Sequence, residues 1–182
     1  MPNNRPSQPS KRLFIALWPP PDVQRQLQSL QTHISGGVPV AADNLHATLA
    51  FLGAMSHHQE QLYAQAIRAL DFAPCTLMLD TLGWWKKPRA LWAGCQTMPD
   101  ALLALVQDLN EKLAPCGFTP EDRPFTLHVT LVRKYARTIA DEHRAIPAIA
   151  WRADTVALVE SRGTAHGVRY LPLVFQHARG VL

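Results

Sequence analysis

The tetrapeptide His-x-Thr-Leu occurs twice, as His46-Ala47-Thr48-Leu49 and His128-Val129-Thr130-Leu131, each inside a short apolar run. At the chain's own His, Thr and Leu frequencies, a random sequence of this length holds it roughly 0.06 times, so two copies require a structural reason. Each run reads as a β-strand, over residues 45–52 and 125–132. Side chains alternate along a strand, so His46 and Thr48 share one face while Leu45, Ala47, Leu49 and Phe51 are assigned to the core. The second copy repeats this with Leu127, Val129 and Leu131. The motif histidines, at 46 and 128, stand 82 positions apart, too far for a solenoid period, and the duplication restricts the chain to folds built from two related halves.

The flanking segments fill in those halves. Residues 12–18 (RLFIALW) predict a buried strand stopped by Pro19-Pro20-Pro21, and Asp22 is placed as the cap of a helix reaching about residue 33. Gly53 is expected to end the first motif strand, and a helix over 56–70 carries Leu62, Ala66 and Leu70 on one stripe. Strands over 75–83 and 90–94, separated by the turn WWKKPR, predict a hairpin. A helix over 99–114 takes Pro99 in its first turn and gathers Leu102, Leu105, Val106, Leu109 and Leu113 on one face. Residues 133–148 read as polar with weak helical character, and the last strands are placed at 151–160 and 168–175. The order gives a pseudo-duplicated α+β architecture in which two sheets wall one cleft. Residues 1–10 (MPNNRPSQPS) read as a disordered tail and 11–182 as a single bilobal domain.

Composition narrows the setting. A length of 182 residues with 47% hydrophobic residues suits one domain and argues against disordered or fibrous classes. The amino-terminal residues carry no apolar signal-peptide core, and no later run is expected to span a bilayer. Three cysteines without a Cys-x-x-Cys spacing argue against a disulfide framework, so the expected location is cytoplasmic. A net charge of +4 points to an anionic partner, and Lys86, Lys87 and Arg89 cluster near Trp84 and Trp85. That cluster bears on function only if it lies beside the histidine groove.

Two histidines flanking a phosphate can divide the work of phosphodiester cleavage. A neutral imidazole takes a proton from the nucleophile, and an imidazolium gives one to the leaving oxygen. The threonine two positions on offers a hydroxyl to a non-bridging oxygen from the same face. No metal is required, in keeping with the lack of an acidic cluster spaced to hold one. A single strand-borne His-x-Thr is ordinarily structural, and the duplication reverses that reading. Zinc held by His46 and His128 needs further ligands, for which His57-His58 are weak candidates. The symmetric motif does not say which histidine gives the proton.

The segments Asp43-Asn44-Leu45-His46-Ala47-Thr48-Leu49-Ala50-Phe51-Leu52-Gly53 and Arg123-Pro124-Phe125-Thr126-Leu127-His128-Val129-Thr130-Leu131-Val132-Arg133 resemble the two-histidine (2H) phosphoesterase superfamily. Within it they resemble the bacterial RNA 2′,3′-cyclic phosphodiesterases, first described as 2′-5′ RNA ligases. Residues 12–17, 90–94, 160–161 and 170–173 support the likeness, which covers about residues 11–175. The resemblance implies two pseudo-symmetric lobes, each an antiparallel sheet with helices on the outside, around a central cleft. It implies hydrolysis of an RNA-terminal 2′,3′-cyclic phosphate to a 2′-phosphate, with no cofactor and no metal. His46 is then the proton donor and His128 the proton acceptor, while Thr48, Thr130 and Arg133 hold the phosphate. Expected partners are RNA with a 2′,3′-cyclic phosphate end, tRNA fragments among them, with no membrane, and the protein is expected to be a monomer. Arg133 has the wrong strand parity for this role unless the strand ends or bulges at Val132.

Reverse 2′-5′ ligation uses the same chemistry, but water at about 55 M favours hydrolysis. Alternative readings are a phosphodiesterase acting on small cyclic nucleotides or 2′-5′ oligonucleotides and, last, an RNA-binding protein without catalysis. Trp84, Trp85 and Trp92 are candidate base-stacking residues, with Trp92 assigned first to the core. Thr126 stands where the family commonly has proline. Arg162 and Arg169 are candidate groove residues, and His33, His57, His58, His143, His166 and His177 are assigned to the surface.

Overall fold

Residues 13–17 are all buried because β1 (Lys11–Leu17) lies inside a nine-stranded sheet of the computed structural model, which describes residues 10–136, 143–165 and 167–180. After β1 come α1 (Pro21–Thr32), the short β2 (Val38–Pro39), β3 (Ala47–Met55) and α2 (His57–Arg68). The hairpin of β4 (Cys75–Trp85) and β5 (Ala90–Gly94) leads to α3 (Asp100–Leu113) and β6 (Val129–Arg133). β7 (His143–Ala153), β8 (Thr155–Thr164) and β9 (Gly167–His177) complete the chain.

The sheet runs β7-β4-β5-β6-β3-β1-β8-β9, with β2 added to β6 and every pairing antiparallel. Along that path, β2 aside, four strands lie on each side of the β6–β3 junction, where Ala47 opposite Val129 is the one residue pair. These are the middle residues of the two motifs. The expected two sheets are therefore halves of one sheet, joined at the motif strands, and edge strands β7 and β9 occupy equivalent places.

Helix positions follow local chemistry. Ser56 caps α2 in a reciprocal box with Gln59, satisfying two backbone donors that would otherwise be orphaned. α1 begins with Pro20 at the N-cap and Pro21 in the first position, so Asp22 sits in the first turn and is not the cap. On α3, Leu102, Leu105, Leu109 and Leu113 are fully buried, each worth about 1.5–3 kcal/mol. α1 packs against β6 and β7 of the opposite half, and α2 packs against α3, β3, β8 and β9. No helix among the described residues is long and apolar enough to cross a membrane.

Several expectations are corrected. Residues 143–148 are not helical but belong to β7, one long strand with 149–153, and the strand expected at 151–160 is broken at Asp154. Pro147 makes the stretch read as a breaker. It is tolerated because β7 is an edge strand whose register skips there, Leu79 pairing with Ile149 and Thr81 with Ala145. Residues 137–142 of that stretch, and 1–9 of the expected tail, lie outside the described residues. Gly53 does not end β3; it sits inside it at φ +83, beside a register shift that lets the strand run on to Met55.

Candidate active site

Both motif histidines sit immediately before the first residue of their strand, and those strands begin later than predicted, at residue 47 and not 45 and at residue 129 and not 125. Residues 44 and 126 thus precede the ladder, and their carbonyls have no strand partner. Each accepts a hydrogen bond from the histidine two positions on. His46 Nδ1 donates to the Asn44 carbonyl at 2.6 Å and His128 Nδ1 to the Thr126 carbonyl at 3.0 Å. A carbonyl only accepts, so each neutral ring carries its hydrogen on Nδ1 and leaves Nε2 bare. The His46 Nε2 lies 3.1 Å from Thr48 Oγ1, whose hydroxyl donates to it. The Ala47–Val129 pairing, continued by one residue either way, sets position 46 opposite 130 and position 48 opposite 128.

Both motif strands bulge at the leucine of the tetrapeptide. Thr48 pairs with Ala16 and Ala50 with Ile15, leaving Leu49 extra; Thr130 pairs with Trp92 and Val132 with Leu91, leaving Leu131 extra. One extra residue reverses the facing of everything beyond it. Arg133 therefore regains the face of His128 and Thr130, through an irregularity at Leu131 and not at Val132. Its counterpart is Phe51, five positions after His46. Strict alternation sends Phe51 to the core, yet it is 61% exposed and lines the cleft beside Thr48 and His128.

The second bulge has its own support. The Leu131 carbonyl accepts from Gln31 Nε2 at 2.7 Å and from the Val40 N–H at 2.8 Å, while Gln31 also donates to the Val40 carbonyl at 2.9 Å. Gln31→Leu leaves these buried acceptors short of a donor. The expected loss is about 1–3 kcal/mol, read as a lowered midpoint of thermal unfolding; an unchanged midpoint contradicts the assignment.

Aromatic rings wall both imidazoles. His46 lies 4.8 Å from Phe14, 5.0 Å edge-on from Tyr170 and 6.1 Å from the parallel ring of Trp18, and His128 lies 4.5 Å from Trp85. The Asn44 side chain ties the first wall together, donating to the Val168 carbonyl at 2.7 Å and accepting from the Tyr170 N–H at 2.9 Å. Tyr170 in turn accepts a hydrogen bond from Arg133 Nη2 at 2.8 Å, linking β6 to β9 across the cleft.

Desolvation dominates the electrostatics. Burial pushes the His46 pKa down to about 4; the Asn44 carbonyl opposes this, and the charges of His128 and Arg133 reinforce it. Burial also lowers His128, opposed by the Thr126 carbonyl, with Arg123 lowering and Glu121 raising it. Both shifts favour the neutral imidazole. A proton on His46 calls for a nearby anion, as a bound phosphate would supply.

The structure brings His46, Thr48, His128, Thr130 and Arg133 together around the one strand junction. Of the basic turn, exposed Lys86 directly follows Trp85, whose ring packs edge-on against His128. Trp92 is buried as expected and Trp84 packs against the main core. Arg162 forms a paired hydrogen bond to Glu160, both contacts at 3.0 Å. His33, His57, His58 and His177 are exposed, whereas the His143 side chain and His166 lie outside the described residues. Among the described residues no three His, Cys, Asp or Glu side chains gather as a metal-binding set. Sequence reasoning missed Gln31, Asn44, Phe14, Trp18 and Tyr170. Alternation along β1 groups Phe14 and Trp18, but nothing local marks Gln31 or Tyr170.

A duplicated sheet with a histidine-threonine pair on each central strand defines a family. The 2′-5′ RNA ligase superfamily matches residues 19–165, and the chain belongs to it. A relative from Escherichia coli (strain K12), named RNA 2′,3′-cyclic phosphodiesterase, is 38% identical over 135 residues, 71% of this chain and 75% of that protein. A relative of the same name from Thermotoga maritima is 28% identical over 131 residues, covering 67% of this chain and 69% of its own length. The apo crystal structure of E. coli LigT superposes with a TM-score of 0.82 at 30% identity, covering 94% of this chain and 99% of that one. Its complex with 3′-AMP gives 0.81 at 30% identity, over 93% and 99% of the two chains.

Proposed function

We propose that this chain hydrolyses an RNA-terminal 2′,3′-cyclic phosphate to a 2′-phosphate by acid–base catalysis between two histidines. One observation carries the reading: the Ala47–Val129 pairing sets two histidines, each anchored through Nδ1 and each with a threonine, across one cleft. The names of the Escherichia coli and Thermotoga maritima relatives support the same substrate.

His128, neutral with a bare Nε2, takes a proton from water as its oxygen attacks phosphorus. The bond from phosphorus to the 3′ oxygen breaks, and His46, protonated once the phosphate anion sits beside it, gives its Nε2 proton to that oxygen. The hydroxyls of Thr48 and Thr130 and the Arg133 guanidinium donate to the non-bridging oxygens, where charge grows. Tyr170 engages one Arg133 nitrogen, and the remaining guanidinium donors serve the phosphate. The Lys86–Lys87–Arg89 turn favours the body of an RNA strand, tRNA fragments included. The reading treats residues 11–182 as one catalytic domain acting as a monomer in the cytoplasm.

The test is incubation with RNA ending in 2′,3′-cyclic phosphate and with 2′,3′-cyclic mononucleotides, in EDTA, followed by identification of the products. The expected product is the 2′-phosphate, formed at the same rate with and without chelator. Loss of turnover in EDTA, or a 3′-phosphate product, contradicts the proposal.

A further inference from the structure

Arg133 and Arg162 are both exposed arginines on strands, and they are held in opposite ways. The Glu160 carboxylate takes two hydrogen bonds from Arg162 and offsets its charge. Arg133 ends β6, and the chain turns away at Lys134 with φ +53, so no continuing ladder packs along its stem. Among the described residues it pairs with no carboxylate, and its hydrogen-bond partner is the Tyr170 hydroxyl at 2.8 Å. An uncharged hydroxyl anchors a guanidinium and leaves its charge free to act elsewhere. Without an anchor, a long exposed arginine samples many rotamers and must be ordered anew by each substrate.

The anchor is itself fixed. Tyr170 is half-buried, with its ring edge-on to Phe14 at 4.9 Å and to His46 at 5.0 Å. Its N–H donates to the Asn44 side chain at 2.9 Å, and that side chain donates to the Val168 carbonyl at 2.7 Å. The carbonyl of the same Asn44 accepts from His46 Nδ1 at 2.6 Å. One residue therefore sets both the His46 ring and the stretch of edge strand that carries Tyr170. β9 stands four places from β6 along the sheet, roughly 19 Å if the sheet were flat, so the Arg133–Tyr170 bond closes the curl of the two halves over the cleft. We propose that Tyr170 is a positioning residue: its phenol oxygen holds the Arg133 guanidinium at the phosphate site, uncancelled, before charge grows on the non-bridging oxygens. This rests on the proposed function, in which Arg133 donates to those oxygens. The cyclic phosphate carries one negative charge and gains a second as water attacks, so a cation already in place favours the transition state over the bound substrate.

The experiment is a double-mutant cycle on hydrolysis of 2′,3′-cyclic AMP, using Tyr170→Phe, Arg133→Ala and the two together, with thermal unfolding as the fold control. Tyr170→Phe keeps the ring on Phe14 and His46 and removes only the acceptor. It is expected to lower kcat about tenfold with KM within about twofold. Arg133→Ala is expected to cost about 10²-fold, the scale of one lost transition-state donor, which leaves a measurable rate. In that background Tyr170→Phe is expected to change kcat by less than about twofold. Equal losses in both backgrounds overturn the proposal, because Tyr170 then acts without Arg133, as a mere fold defect also would. A loss carried by KM alone overturns it too, since Tyr170 then binds the substrate directly. If the wild type hydrolyses cyclic AMP and Tyr170→Phe matches it, the positioning role is rejected and the proposed function stands; if the wild type turns over no cyclic AMP, both fall.

Discussion

His128→Ala lowers kcat for cyclic phosphate hydrolysis at least about 10²-fold, the usual worth of a positioned general base, while the fold survives. The ring is only half-buried at the mouth of its strand, and its one polar anchor is a carbonyl, Thr126, that solvent can satisfy when the ring is gone. His46→Ala has an effect of the same order for a different reason. In the proposed mechanism its Nε2 carries the proton the 3′ oxygen needs, and its loss leaves an alkoxide to depart unaided. Steady-state kinetics with circular dichroism as the fold control checks both. Near-wild-type kcat in either variant rejects the role given to that histidine.

Gly83→Ala is expected to disable the same site from beneath. Gly83 pairs directly with Trp92, and a Cβ built there falls 2.0 Å from Trp92 Cζ2 and 2.4 Å from both Cε2 and Cη2. The indole is 4% exposed and cannot yield outward without pushing on Trp85 and His128, whose rings lie 5.3 and 6.4 Å from it. Overpacking of this kind costs about 1–3 kcal/mol, a fall of roughly 2–12 °C in Tm for a chain of this size. A displacement of His128 by about 1 Å carries a further loss of about 10²-fold in rate. Gly163→Ala is the control, since nothing lies within 4 Å of its Cβ position. Equal Tm and kcat in Gly83→Ala and wild type contradict the view that Trp92 supports the catalytic ring.

The five site residues named from the sequence meet at one strand junction because the motif is local: a strand start fixes the side-chain face of His46 and Thr48 within three residues. Phe51 shows where that reasoning stops. Alternation assigns it to the core, and the bulge at Leu49, which appears only in the pairing with Ile15 and Ala16 on another strand, turns it to the cleft. The same device at Leu131 resolves the parity of Arg133, and Gln31, 100 positions away, supplies the donor that holds it. Tyr170 is likewise a long-range partner of Arg133 with no local signal. β7 stayed hidden because a proline in a polar stretch signals a break, although an edge strand accommodates one. Periodicity captures what lies within a few residues, whereas bulges and cross-strand partners belong to the assembled sheet.

The assignment of acid and base is tested most directly by the pH dependence of kcat in the wild type and in both histidine variants. The proposed mechanism needs His128 neutral, so the rate rises with pH on the acid limb, and His46 protonated, so it falls on the alkaline limb. Each residual activity should lose one limb: His128→Ala the acid limb and His46→Ala the alkaline one. In the free protein burial lowers both pKa values, His46 to about 4, so the alkaline limb of kcat must lie well above that value once phosphate is bound. A bell in the wild type that loses these limbs in this order is the predicted result. A monotonic wild-type profile, or limbs lost in the opposite order, contradicts it.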